Sequence, residues 1–326
     1  MGFWTWFLIV VLGAAALSIV FFFGPFFVIA GVLYTTLLVR QRPDKWGREC
    51  SIPDDEEYQN MFQTGLDWAA ENAAHKRDVD IHSGKYHLYG EYFDFGADRA
   101  VLIIAGRMES LLYSYYFAEP YKKAGYNILV IDNRSHGKSD GKFTSLGYRE
   151  YKDILAWSKF LHDELGNRSV IYHGICIGAS TGLFALTSKD APDYLDGIIA
   201  EGMYTTFAES FKNHLIERGK PLFPMQPFVM AHVYLWSHAN VYGDGPFKRV
   251  KKLHKPILFI YSKEDTYSTP EQAQRLYNDC ASEQKEIVWF DRGAHSRVRI
   301  NFTEEYDRCI RDYISRVFDK NTYVNG

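Results

Sequence analysis

Charge is missing from the first 39 residues. The chain has 326 residues with 37 basic and 40 acidic side chains, and none of these falls before Arg40. Cysteine is sparse too. Four thiols, at positions 50, 176, 280 and 309, form neither a C-x-x-C pair nor a closely spaced framework. That excludes a disulfide scaffold and points to free thiols in a reducing compartment. Proline (11) and glycine (25) are too few for a collagen-like or low-complexity protein, and 16% aromatic residues exclude disorder. The chain has no H-E-x-x-H, no Cys/His cluster and no dinucleotide-type glycine loop, so neither a metal nor an organic cofactor is expected. A net charge of −3 gives no global attraction to nucleic acid, and no such partner is expected.

The uncharged start is an apolar run from Phe3 to Val39. A spanning helix needs ~20 such residues. As one straight helix the run would be ~55 Å long, well beyond a ~30 Å hydrocarbon core. Gly24-Pro25 in its middle therefore predicts a kink, a strong tilt or a break into two short segments. A secretory signal does not fit: no basic side chain precedes the run, it is too long, and no small-residue cleavage site ends it. Residues 1–39 read as a transmembrane anchor. Arg40, Arg42, Lys45 and Arg48 follow it, so the positive-inside rule places 40–326 on the cytoplasmic side of the cell membrane.

Residues 40–75 read as a juxtamembrane linker and helix, with Tyr58, Met61, Phe62, Leu66 and Ala69 at helical spacing. Residues 79–95 read as a hairpin. From Arg99 short apolar runs alternate with helical stretches: 100–105, 127–131, 169–173, 197–200, 256–261 and 286–290. A final helix carries Tyr306, Cys309, Ile310, Tyr313, Ile314 and Val317, with Thr303 as its expected N-cap. This alternation predicts an α/β domain over 76–320, a mainly parallel sheet with helices on both faces. Residues 204–255 contain no convincing strand, are rich in aromatics, and read as an inserted helical lid.

Ser169 to Gly182 is the most informative stretch. A strand runs into Gly174-Ile175-Cys176-Ile177-Gly178 and a helix follows, which is a nucleophile elbow with Cys at its centre. Gly178-Ala179-Ser180-Thr181-Gly182 matches G-x-S-x-G literally, but Ser180 would lie one turn into the helix. The elbow is therefore assigned to Cys176, against the plain alternative of a small buried hydrophobe. An acid and a base follow in the expected chain order: Asp265, with Glu264 as its neighbour and rival, and His295. Each lies just past the C-terminal end of a predicted strand, where open parallel sheets bind ligands.

On these segments, and on Ile131-Asp-Asn-Arg-Ser-His-Gly-Lys-Ser-Asp-Gly141, the soluble portion resembles the α/β-hydrolase superfamily. Ala105-Gly106-Arg107-Met108-Glu109-Ser110 resembles the G-R-x-E-S segment of the bacterial lysophospholipase and monoacylglycerol-lipase group. Two departures stand out: Cys176 where most of those lipases have Ser, and Ala105 where a His commonly precedes the glycine. Arg134 and His136 take structural roles by the same resemblance. It implies a triad of Cys176, Asp265 and His295, elbow glycines Gly174 and Gly178, and an oxyanion hole from the backbone N–H groups of Arg107 and Ile177.

The expected chemistry is hydrolysis of an acyl ester or thioester through an acyl-enzyme. The anchor and aromatic lid suggest a small acyl ester or lipid as the partner, drawn from the membrane. The Arg107 side chain is a candidate for a phosphate head group, with an ion pair to Glu109 as the alternative. An amidase or peptidase on the same scaffold, or an inactive membrane-tethered interaction protein, stay open. Protein partners are left unknown.

Overall fold

The computed structural model describes residues 2–319; residue 320, the expected end of the catalytic domain, lies outside the described residues. The apolar run forms one helix, α1 (Phe3–Leu38), with Pro25 inside it. The division into two segments does not occur. Proline removes only one rung of the helical ladder, and apolar residues continue on both sides. With a mean hydropathy of 2.7 over its best window, α1 is long and apolar enough to cross a membrane. Its two halves differ in surroundings. Phe3 to Phe22 is exposed throughout, whereas Phe27, Ala30, Gly31, Tyr34 and Leu38, spaced by three and four, lie on the side covered by the rest of the chain.

Helix α2 (Glu56–Glu71) starts at Asp55, whose carboxylate accepts from the Tyr58 amide at 3.0 Å. It buries Tyr58, Met61, Trp68 and Ala69. The sheet is built from β1 (Lys76–Ser83), β2 (Tyr86–Phe93), β3 (Arg99–Ile104), β4 (Asn127–Ile131), β5 (Ser169–Ile175), β6 (Leu195–Glu201), β7 (Ile257–Ser262) and β8 (Lys285–Phe290). Its order is β1-β2-β4-β3-β5-β6-β7-β8. β1 and β2 pair antiparallel, as do β2 and β4, and every other pairing is parallel.

Because side chains alternate along a strand, the sheet feeds two cores. Val101, Ile103, Ile128, Val130 and Ile171 face α2 and α8 (Thr303–Tyr313). Leu102, Ile104, Leu129, Val170 and Tyr172 face the other way, onto α3 (Tyr151–Asp163), α4 (Ile177–Leu186) and α7 (Pro270–Asp279). Thr303 is not the cap of α8. Phe302 holds that position, and the Thr303 hydroxyl donates back to the Arg299 carbonyl at 2.9 Å.

Between β6 and β7 lie α5 (Phe207–Glu217) and α6 (Met225–Ser237). They form a third apolar cluster with the second half of α1: Ala30, Tyr34 and Leu38 meet Phe207, Phe211, Val229 and Val233, and Ile177 of α4 joins them. His232 of α6 stacks on Phe27 at 4.2 Å and bonds its carbonyl at 2.9 Å. A Cβ at Gly31 would lie 3.0 Å from that imidazole, so the small residue permits the approach.

The end of α1 is bound rather than free. Lys45 donates to the Thr36 carbonyl at 2.7 Å, Arg107 to Leu37 at 2.8 Å, and the Thr144 amide to Leu38 at 3.0 Å. These are carbonyls that a helix terminus leaves without intrahelical partners.

Candidate active site

Cys176 stands between the last residue of β5 and the first of α4, with φ 53° and ψ −110°. A side chain rarely adopts positive φ, and the surrounding structure must enforce it. Here the enforcement is visible at the two flanking glycines. A Cβ on Gly174 would lie 2.3 Å from the Ala179 Cα, and one on Gly178 would lie 2.0 Å from the Ile104 carbonyl oxygen. Only glycine lets α4 start this close to β3 and β5. The Cys176 amide is tied to the Glu201 carbonyl at 2.9 Å. Ser180 sits one turn further on, fully buried inside α4, with its hydroxyl over the Cys176 carbonyl at 3.5 Å.

Asp265 follows β7 and His295 follows β8. The His295 Nδ1 lies 2.7 Å from Asp265 Oδ2. The other carboxylate oxygen, Oδ1, accepts from the Tyr267 and Ser268 amides, both at 2.8 Å. With the carboxylate as acceptor, the imidazole carries its proton on Nδ1 and leaves Nε2 as a base. Burial works against a charged imidazole at His295. The charges of Asp265 and Cys176, and hydrogen bonds to both, outweigh it and push the pKa well above the usual value. Glu264, the rival acid, instead accepts from the Gly293 amide at 3.1 Å and so braces the loop that carries His295.

The turn after β3 lies against the start of α4, since a Cβ on Gly178 would also approach the Ala105 carbonyl to 2.8 Å. The Arg107 and Ile177 segments are therefore side by side. The Arg107–Glu109 ion pair does not form. Glu109 is taken by the Gly106 amide at 2.8 Å and the Tyr58 hydroxyl at 2.9 Å, and burial raises its pKa. The Arg107 guanidinium turns instead to the end of α1, and burial lowers its pKa while Cys176 and Glu109 act to raise it. His136 accepts a scaffold role, with Nε2 2.5 Å from the Arg107 carbonyl and its ring stacked on Trp46 at 4.7 Å. Arg134 pairs with Asp153 at 2.6 Å.

Three contributors escaped the sequence reading. Glu201, at the end of β6, is buried and takes the Tyr306 hydroxyl at 2.5 Å, while its other oxygen has no partner among the described residues. Burial pushes its carboxyl up to about 7. His173 lies beneath it, 2.6 Å from the Tyr121 hydroxyl, and burial pushes it down to about 3. From the lid, His214 stacks on Tyr267 at 3.6 Å; burial, then the Arg107 and His295 charges, push it to about 3. A charged residue at a strand end was the one available signal for Glu201. Nothing local marked the other two.

Comparison with known proteins gives the class. A family described as alpha/beta hydrolase fold matches residues 99–218, which include the Cys176 turn. An uncharacterized Bacillus subtilis protein, YqkD, is 27% identical over 221 residues, 67% of this chain and 72% of the relative. An uncharacterized membrane protein of Saccharomyces cerevisiae is 22% identical over 195 residues, 60% of this chain and 62% of its own. Among solved structures, a Pyrococcus furiosus esterase superposes with a TM-score of 0.65 at 23% identity, covering 76% of this chain and 94% of that one. An alpha-beta hydrolase from Vibrio vulnificus gives 0.60 at 18% identity, with 83% and 91% covered. The chain has the α/β-hydrolase fold.

Proposed function

We propose that this chain is a membrane-anchored hydrolase that cleaves acyl ester or thioester bonds of a lipid-like substrate, with Cys176 as nucleophile. The observation that carries the reading is the Cys176 turn, held at positive φ between two obligatory glycines, beside an imidazole already oriented by Asp265. His295 takes the thiol proton, and the thiolate adds to the acyl carbonyl. The oxyanion is held by the backbone N–H groups of Ile177 and Arg107. Collapse expels the alcohol or thiol, which receives its proton from the imidazolium. Water, deprotonated by the same imidazole, then hydrolyses the acyl-Cys176 thioester.

The esterase named among the structural neighbours and the membrane protein among the sequence relatives support the two halves of this reading. Helix α1 serves as the anchor, and the four basic residues from Arg40 to Arg48 favour a cytoplasmic domain. The test is hydrolysis of a p-nitrophenyl ester series by the full chain in detergent. Cys176→Ala is expected to lower the rate about 10³-fold or more, iodoacetamide to inactivate the parent, and Ser180→Ala to retain activity. Loss in Ser180→Ala alone would overturn the assignment.

A further inference from the structure

Outside α1, the described residues expose seven large hydrophobic side chains, and all but Ile52 lie in the α5–α6 insertion. Two of them, Ile216 and Phe223, flank the turn between the two helices and are 56% and 68% exposed. Arg218 and Lys220 lie between them, both exposed. The acid of the turn, Glu217, is engaged by the Thr266 hydroxyl at 3.0 Å, and the Lys220 ammonium has no partner among the described residues. An apolar pair around two exposed cations, of which Arg218 also meets the Tyr267 hydroxyl, is the composition of a surface that meets anionic lipid.

The position of this turn along α1 agrees. Phe223 meets Phe23 with ring centroids 6.0 Å apart, and Phe228 meets Phe23 and Phe27 at 6.2 and 5.7 Å. Phe23 directly follows the exposed stretch Phe3–Phe22. Those twenty residues rise about 30 Å, the thickness of a hydrocarbon core. Trp4 and Trp6 stand at the far end, where interfacial aromatics belong. The α5–α6 turn thus joins α1 at the level where the helix leaves the bilayer.

We infer that the α5–α6 turn, through Ile216, Arg218, Lys220 and Phe223, rests on the lipid surface and seats the lid against the membrane. This rests on the reading of α1 as a bilayer-spanning helix. Tyr234, Leu235 and Trp236, also exposed, lie at the other end of α6, where Trp236 borders Val32 and Thr36, farther from the hydrocarbon.

The full chain is reconstituted in vesicles of phosphatidylcholine and phosphatidylserine. A photoreactive benzophenone side chain is placed in turn at residues 7, 216, 223 and 168, the last at the opposite end of the sheet. Lipid adducts at 7, 216 and 223 are expected to exceed those at 168 by roughly tenfold or more, the partition that burying one aromatic side chain would give. Adducts at 7 with only the background of 168 at both 216 and 223 overturn the docking and leave the anchor intact. Background at 7, 216 and 223 alike removes the anchor and the docking together. Vesicles of phosphatidylcholine alone are expected to lower the yield at 216 and 223 but not at 7; equal yields overturn the role of Arg218 and Lys220.

Discussion

The Cys176 turn is held from two sides by opposite means. On the sheet side the fit depends on atoms that are absent: Gly174 and Gly178 let backbone approach backbone where any Cβ would collide. On the α1 side it depends on side chains that reach far: Arg107 and Lys45 bind the end of α1, and His232 lies across its second half. The first kind of support is encoded within five residues. The second joins positions 37, 45, 107 and 232, which no local pattern connects. The contrast teaches that a site can be rigid on both sides while only one side shows in the sequence.

Substitution separates the two supports, and the largest effect belongs to the sheet. Gly178→Ala places a methyl 2.0 Å from the Ile104 carbonyl, against backbone that cannot turn aside. It is expected to cost about 4 kcal/mol or more, read as a collapsed yield of folded protein and a large fall in Tm. A near-normal Tm would show that the two backbones separate easily, and the contrast would fail.

The next effect sharpens the sheet side by its pH dependence. Folding raises the Glu201 carboxyl from 4.5 to about 7. Between those values the folded chain keeps a proton that the unfolded chain releases, so stability falls as pH rises through this window and is flat above it. Glu201→Gln stays neutral and is expected to be more stable than the parent above pH 7 by on the order of 2–3 kcal/mol. The gain should vanish toward pH 4.5, as denaturant unfolding at several pH values would show. A gain independent of pH would trace instead to packing against Tyr306.

The smallest effect tests the α1 side. Arg107→Ala leaves the Leu37 carbonyl without its charged donor and is expected to cost about 2 kcal/mol. Turnover of neutral and phosphate-bearing esters should fall to the same degree. A loss confined to phosphate-bearing esters would assign the guanidinium to a head group and take it out of the seam.

How far the sequence could be read follows the same division. The strand 127–131 was visible to the residue, because four consecutive apolar side chains after Asn127 leave one interpretation. β6 was read too short at both ends, since Asp196 and Glu201 look like surface residues, yet Glu201 is buried beneath the site. The Cys176 turn was legible because its glycines are neighbours in sequence. The covered stripe on α1 was not, because apolar side chains suit lipid and protein equally; only Ala30 and Gly31, small residues one turn below Phe27, hinted at a close partner. Asp265 and His295 follow visible strands, whereas Glu109 meets Tyr58 only because α2 folds back across the sheet.

A domain on a slack tether can swing, reach upward and sample a volume. Helix α1 allows no such slack, because its last carbonyls are grasped by Lys45, Arg107 and Thr144 and its flank is pressed to α6. The Cys176 turn therefore keeps a fixed height and a fixed heading relative to the rod that carries it. In the proposed membrane setting its large motions are those of the rod itself, which drifts sideways and spins about its long axis. With α1 spanning the bilayer as proposed, encounter with substrate becomes a two-dimensional search at one altitude, and molecules held in a facing membrane lie beyond its reach.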